Sequence, residues 1–319
     1  MMRSPDPFLT ALIGAVLLAT AFPVKGSATE FLGHVTNILI MAMFFMQGIR
    51  LERRAVVENI RNWKLQGLVL LCSFVLFPLI GMGLHAFMPE ILDDATWQGV
   101  LFLCCLPSTV QSSIALTSIA GGNVAASICA ATLSNIAGIF LTPVLVALVL
   151  HKQGVWSANS VMDIASQLLL PFLAGQLLQP MLHAWAHRRK KIISILDRSS
   201  ILLVVYTAFS HAVVMGIWSR FSARELLLLA LVDMGILLSV LGISWGASRL
   251  CGFSSRDEVA IVLCGSKKSL ASGIPMANVI FPDGIAGFVV LPLILYHQIQ
   301  LFLCTLIARR YRRKHESGS

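Results

Sequence analysis

Ten apolar runs, each close to the length of a membrane-crossing helix, fill most of this 319-residue chain. A crossing helix needs about 20 apolar residues to pass a hydrocarbon layer of roughly 30 Å. The runs are Phe8–Val24, Phe31–Gly48, Gln66–Phe87, Trp97–Ala120, Val124–Leu150, Ile164–Trp185, Ile201–Trp218, Leu226–Ser248, Asp257–Phe281 and Ile285–Ala308. Only 12% of the residues are charged, against about 25% in soluble domains. A soluble fold is therefore excluded, and the connections are too short to hold a second domain. The first run is too long for a signal-peptide core, and its only preceding positive charge is Arg3. It reads as a first helix, although Ala19-Thr-Ala21 has the look of a cleavage site.

The net charge of +9 does not point to nucleic acid, because the positive residues alternate with the spans. Arg50, Arg53, Arg54, Arg61 and Lys64 follow the second span, and Arg188, Arg189, Lys190, Lys191 and Arg198 follow the sixth. Arg249 and Arg256 follow the eighth, and Arg309, Arg310, Arg312, Arg313 and Lys314 follow the tenth. With Arg3 these make eighteen of the 24 basic residues on one side. The other side holds Lys25, Lys152, Arg220 and Arg224, and the acidic Glu90, Asp93 and Asp94. Basic loops stay cytoplasmic, which predicts both termini inside a cell (inner or plasma) membrane. Residues 309–319 then form a basic cytoplasmic tail that anchors topology and meets anionic lipid. The seven cysteines are odd in number and mostly intramembrane, so they read as small packing residues and not as disulfides.

The ten spans divide into two fives. Ile136-Ala-Gly138, with Pro143 five residues beyond the glycine, matches Ile285-Ala-Gly287 with Pro292. Just upstream, Asn123-Val124 matches Asn278-Val279. Five is odd, so the second copy enters the membrane from the opposite face. That is the inverted repeat common in secondary transporters, whose sites lie where interrupted helices of the two copies meet. The predicted repeats are about 8–150 and 164–308. The fourth span carries Pro107-Ser-Thr-Val-Gln111-Ser112-Ser113, and the ninth carries Ser266-Lys267-Lys268-Ser269. Both spans are expected to break there, since unwound backbone is tolerated at membrane depth where it lines a cavity.

Intramembrane charges are expensive and by default mark function. Three roles are open to Lys267 and Lys268: a fixed replacement for a bound cation, a carrier of a transported proton, or a partner for an anionic substrate. The structural alternative is a lysine that only snorkels or pairs. Neighbouring helical residues point about 100° apart, so the two side chains should not share one environment. Asp233, His211 and His297 are candidate proton relays, with a solvated position also open to Asp233. Gln111, Ser112 and Ser113 are candidates because of the expected break.

Several stretches resemble the bile acid:sodium symporter family (solute carrier family 10 and its bacterial relatives). Phe45-Met-Gln-Gly48-Ile-Arg-Leu51 is similar to its F-x-x-G-x-x-L motif, and Leu170-Pro171 through Gly175 to Pro180 to its L-P-x-x-x-G-x-x-x-x-P motif. Gly122-Asn123-Val124-Ala125 resembles its turn between helices 4 and 5. The resemblance implies an all-α fold of ten helices, with a panel domain (helices 1, 2, 6 and 7) and a core domain (helices 3–5 and 8–10). Helices 4 and 9 would be broken and cross in the core. It also implies co-transport of an organic anion with Na⁺. Ser112 and Ser113 stand where typical members carry Ser-Asn, and Ser127 matches a helix 5 Ser. The helix 5 Thr falls on Ala131, with Thr132 beside it. The usual helix 9 acid is replaced within Val262-Leu263-Cys264, and Ser73 occupies the helix 3 Gln position. These departures resemble the divergent member-7-like branch, with its C-G-S-x-K-[ST]-L run (here Cys264–Leu270) and Tyr206 to His211 of helix 7.

The resulting expectation is a secondary transporter of an organic anion, coupled to Na⁺ or H⁺, acting as a monomer or homodimer, with no nucleic-acid partner and no cofactor other than Na⁺. Two alternatives stay open: a non-transporting regulator of calcium homeostasis, and a cation/proton antiporter. An enzyme is not expected, since the chain has no paired intramembrane carboxylates, no H-E-x-x-H and no G-x-S-x-G.

Overall fold

The computed structural model describes residues 7–25, 27–50, 62–150, 158–216, 222–281 and 285–317. Arg3, Arg53, Arg54, Arg61, Lys152, Trp218 and Arg220, used above for charge and span boundaries, lie outside them. The described residues are nearly all helical, with no strand. In chain order the helices are α1 (Pro7–Ala21), α2 (Ser27–Arg50), α3 (Trp63–Leu71), a wide π-turn (Cys72–Leu76) continuing into α4 (Phe77–Phe87), α5 (Asp94–Cys105), α6 (Gln111–Ile119) and α7 (Val124–Leu150). Then come α8 (Ala158–Arg188), α9 (Lys190–Val214), α10 (Ala223–Leu250), α11 (Ser255–Gly265), α12 (Leu270–Ile280) and α13 (Ala286–Ser317).

Among the described residues six stretches are long and apolar enough to cross a membrane: Ala28–Ile49, Trp63–Phe87, Val124–Leu150, Ile193–Val214, Ala223–Leu250 and Ala286–Arg313. Thr10–Ala21 and Leu168–Leu182 are shorter apolar helices. Large apolar side chains such as Leu177, Met181, Leu250 and Phe302 are exposed on helix surfaces, as hydrocarbon requires and water would not allow. The chain is an integral membrane protein.

Two boundaries differ from the sequence reading. The basic stretch after the sixth span is helical on both sides of Arg189, and the tail continues α13 to Ser317. Arg and Lys are good helix formers, so charge ends the membrane-embedded part of a helix without ending the helix.

The chain forms two compact units. The first comprises Met1–Glu52, Ala158–Ser222 and Ile274–Val290. Here α2 packs along α8 and α1 along α9. Gly48 and Gly175 make the first pairing: a Cβ on Gly48 would lie 2.2 Å from the Phe172 carbonyl oxygen, and one on Gly175 2.1 Å from that of Phe45. Both motif glycines are therefore points of backbone-to-backbone contact that no larger residue can occupy. Gln176 Nε2 donates to the Gly48 carbonyl beside them. Tyr206 donates to the Phe22 carbonyl (2.8 Å), tying α9 to the end of α1.

The second unit comprises Arg53–Ser157, Ala223–Gly273 and Leu291–Ser319. At one end Arg249 Nε donates to Glu258 (3.0 Å) and Tyr311 donates to the same carboxylate (2.8 Å), fastening α10, α11 and α13. Asn123 Nδ2 donates to Asp257 (2.8 Å), while its side-chain oxygen accepts from Ala126 N–H and caps α7. Deeper in this unit lie both helix breaks.

Candidate functional site

The site begins with two prolines that deprive carbonyls of their helical partners. In α3–α4 the hydrogen-bond register widens, and Phe77 N–H bonds to Cys72 five residues back. Continuing that register, the Ser73 carbonyl would need the N–H of residue 78, which is Pro78 and has none. Ser73 O therefore looks outward. At the end of α5, Pro107 supplies no N–H, and Leu106 N–H turns back to Leu103 O (3.2 Å). Ser108 N–H, which could have closed on Cys104 O, goes instead to Ser134 Oγ (2.9 Å). The chain has no regular structure through Pro107–Thr109 and restarts as α6 at Gln111. The Cys104 and Leu106 carbonyls are thus left open at the negative end of the α5 dipole.

The second break, Ser266–Ser269, separates α11 from α12 and meets the first directly. Ser269 N–H donates to Pro107 O (2.8 Å), and Ser108 Oγ donates to Cys264 O (2.6 Å). Ser269 Oγ accepts from Ser272 N–H (3.2 Å), capping α12. Asn135 on α7 binds both breaks, donating to Ser108 O (2.8 Å) and accepting from Ser272 Oγ (2.9 Å). Room for the Pro107 ring comes from Gly138, where a Cβ would lie 2.7 Å from it. The matching motif glycine, Gly287, is also a close approach, 2.7 Å from the Ala208 carbonyl oxygen in the first unit.

Lys268 and Lys267 are both fully buried and differ in every other respect. The Lys268 ammonium donates to Ser73 O (2.7 Å), Cys104 O (2.8 Å) and Leu106 O (2.7 Å). Three donors meet three acceptors, and the Phe77 ring face lies 4.0 Å from the nitrogen. Its backbone is held as well: Gln300 accepts from Lys268 N–H (2.9 Å) and donates to Lys268 O (3.0 Å). His297 Nδ1 lies 2.8 Å from the same Gln300 amide nitrogen, and Tyr296 donates to Ser266 O (2.9 Å). The Lys267 ammonium has no hydrogen-bond partner among the described residues.

The structure gathers Lys267, Lys268, Ser266, Ser269 and Ser73 in one place, and attaches His297 through Gln300. Ser73 takes part through its carbonyl, while its hydroxyl is buried without a partner among the described residues. Ser266 Oγ bonds back to Val262 O (2.6 Å) within α11. Ser112 and Ser113 pair with Thr109 (2.6 and 3.0 Å). Ser127 lies between Thr117 (3.2 Å) and the Cys264 thiol (3.0 Å). Thr132 is half-buried on α7, and Gln111 is exposed at the start of α6. Asn123 acts at the α7 cap, away from the breaks. His211 lies on α9 in the first unit. Asp233 is not solvated: it sits ten residues into α10, fully buried, with neither carboxylate oxygen hydrogen-bonded among the described residues. Among the described residues no cluster of His, Cys, Asp and Glu suits a metal ion.

Ser108, Ser134, Asn135, Ser272, Tyr296 and Gln300 belong to this site and escaped the sequence reading. Only Pro78 offered a signal for the freed Ser73 carbonyl.

Two broken helices meeting over a buried lysine set the frame for comparison with other proteins. Residues 6–313 match the SBF-like CPA transporter family (DUF4137). The chain belongs to this family. It is 46% identical over 317 residues to "Putative symporter YfeH" of Escherichia coli, covering 99% of this chain and 96% of that one. It is 45% identical over 317 residues to "Uncharacterized protein PA2026" of Pseudomonas aeruginosa, covering 99% and 95%. It is 27% identical over 307 residues to "Sodium/bile acid cotransporter 7" of Rattus norvegicus, covering 94% and 89%. Membership makes this a membrane transporter in the bile acid:sodium symporter group, a family of carriers and not of enzymes.

Proposed function

We propose that this family member carries a small organic anion across the membrane by alternating access, with Lys267 as the group that meets the anion. The observation that carries the reading is the fully buried, unpartnered Lys267 ammonium beside two helix breaks. Burying an unpaired charge is costly, and a carboxylate or sulfonate would relieve that cost. The names of the cotransporter 7 relatives support a bile-acid-like or other sterol-type anion. In this reading each broken pair, α5–α6 and α11–α12, crosses once. With the eight apolar helices that makes ten crossings in two inverted repeats, both termini cytoplasmic, in the cell membrane. The repeat of Gly138 and Gly287 as contact points supports it. The protomer acts alone or as a homodimer, with its basic tail against anionic lipid.

Coupling to H⁺ is favoured by Asp233, a fully buried carboxyl inside a spanning helix with no hydrogen-bond partner among the described residues, since an intramembrane acid is a ready proton carrier. Na⁺ coupling is the second reading, supported by the relatives' names and by the hydroxyls of Ser112, Ser113 and Ser127. The test is uptake of labelled organic anions, bile acids included, into liposomes under a pH or a Na⁺ gradient. A pH gradient should drive uptake in the native chain, and Asp233→Asn should lose that drive while keeping anion counterflow. Uptake driven by neither gradient would defeat the carrier reading and leave the regulator or antiporter.

A further inference from the structure

We propose that Ser73, Cys104 and Leu106 form a monovalent-cation cage built of backbone carbonyls, which the chain fills with its own Lys268 ammonium. Emptied of that side chain, the cage would take a free primary ammonium ion. The inference stands apart from the transport reading, because it concerns what holds the breaks together and not what passes them.

Every wall of the cage has a cause in the sequence. Pro78 orphans Ser73 O, while Pro107 and the diversion of Ser108 N–H to Ser134 orphan Cys104 O. The break leaves Leu106 O free of a helical donor. Three carbonyls at 2.7, 2.8 and 2.7 Å from one nitrogen match charge-assisted N–H···O lengths of about 2.7–2.9 Å. The Phe77 face at 4.0 Å adds cation–π attraction, and the α5 C-terminus favours positive charge. No carboxylate is bonded to the ammonium among the described residues, so carbonyl dipoles and a π face supply its direct contacts. Gln300 fixes the Lys268 backbone on both sides of the residue, which sets the side chain at the depth the carbonyls require. Unfilled, the same three oxygens would be buried acceptors without donors, each costing free energy. The ammonium is therefore a fixed structural cation joining the second break to the π-turn between α3 and α4 and to the first break.

The experiment compares purified native chain, Lys268→Ala and Lys268→Met by thermal unfolding in chloride salts of propylammonium, sodium and choline at equal ionic strength. Propylammonium replaces the three carbons and the nitrogen that Lys268→Ala removes, and choline has no N–H to donate. The native melting temperature should be the same in propylammonium and choline within about 1 °C. Lys268→Ala should melt well below it in choline and regain about 5 °C or more in propylammonium. Lys268→Met keeps the apolar stem without the charge, and should stay low in all three salts. Lys268→Ala unresponsive to propylammonium, or Lys268→Met melting within about 1 °C of the native chain, would overturn the proposal. A Lys268→Ala chain that folds in no salt while Lys268→Met folds in every one would also overturn it, because the stem would then suffice without the cation.

Discussion

The two helix breaks are made of opposite materials. The first, Pro107–Val110, contains no charge and contributes carbonyls that proline has deprived of partners. The second, Ser266–Ser269, contributes two ammonium groups. One of them, Lys268, is consumed by the first break and the neighbouring π-turn, and the other, Lys267, is left over. The difference shows how a lysine pair can be stable and functional together. One cation is neutralised by backbone dipoles and holds the breaks in contact, so the second can remain uncompensated without the site falling apart.

The largest effect that would break this contrast is on stability at Lys268. Lys268→Met leaves three carbonyls unpaired and should cost about 3–9 kcal/mol, at roughly 1–3 kcal/mol per buried unsatisfied group, read by chemical unfolding in detergent. Gln300→Leu removes both bonds to the Lys268 backbone and should cost about 2 kcal/mol. Gln300→Glu, which can still accept from Lys268 N–H, should recover part of that loss. Asn135→Ala unties the first break from α12, and a loss of about 1–2 kcal/mol is expected in the same assay. Ser127→Ala, outside the contact between the breaks, should cost less than about 1 kcal/mol and leave the cation dependence of uptake unchanged. A change in Na⁺ dependence at Ser127 would instead move the coupling ion to the hydroxyl cluster around Ser113.

Much of this contrast was legible before any coordinates. Pro107 and Lys267–Lys268 mark the two breaks because neither proline nor charge belongs in a plain spanning helix, and the glycine motifs mark close helix contacts. The division of labour within the pair was not legible. It depends on where the Ser73, Cys104 and Leu106 carbonyls point, and on partners such as Gln300 that lie 32 residues away in sequence. Ser134 and Asn135 look like ordinary small polar residues of an apolar helix until the first break is brought against them. Ser112 and Ser113, singled out by the expected break and by the resemblance, both pair with Thr109, and Ser113 also donates to the Leu263 carbonyl (3.4 Å), contacts that spacing alone does not show. Which of the two positions open to Asp233 it takes was not legible, because position along a helix fixes depth but not which face is buried.

The most direct test is the melting temperature of Lys267→Met beside that of Lys268→Met in the same detergent and salt. Replacing an unpaired buried charge by an apolar side chain of similar volume is neutral or stabilising. Lys267→Met should therefore melt at or above the native temperature. Lys268→Met should melt about 5 °C or more below it. Equal losses in the two variants, or a larger loss in Lys267→Met, would contradict the division of roles between the two lysines.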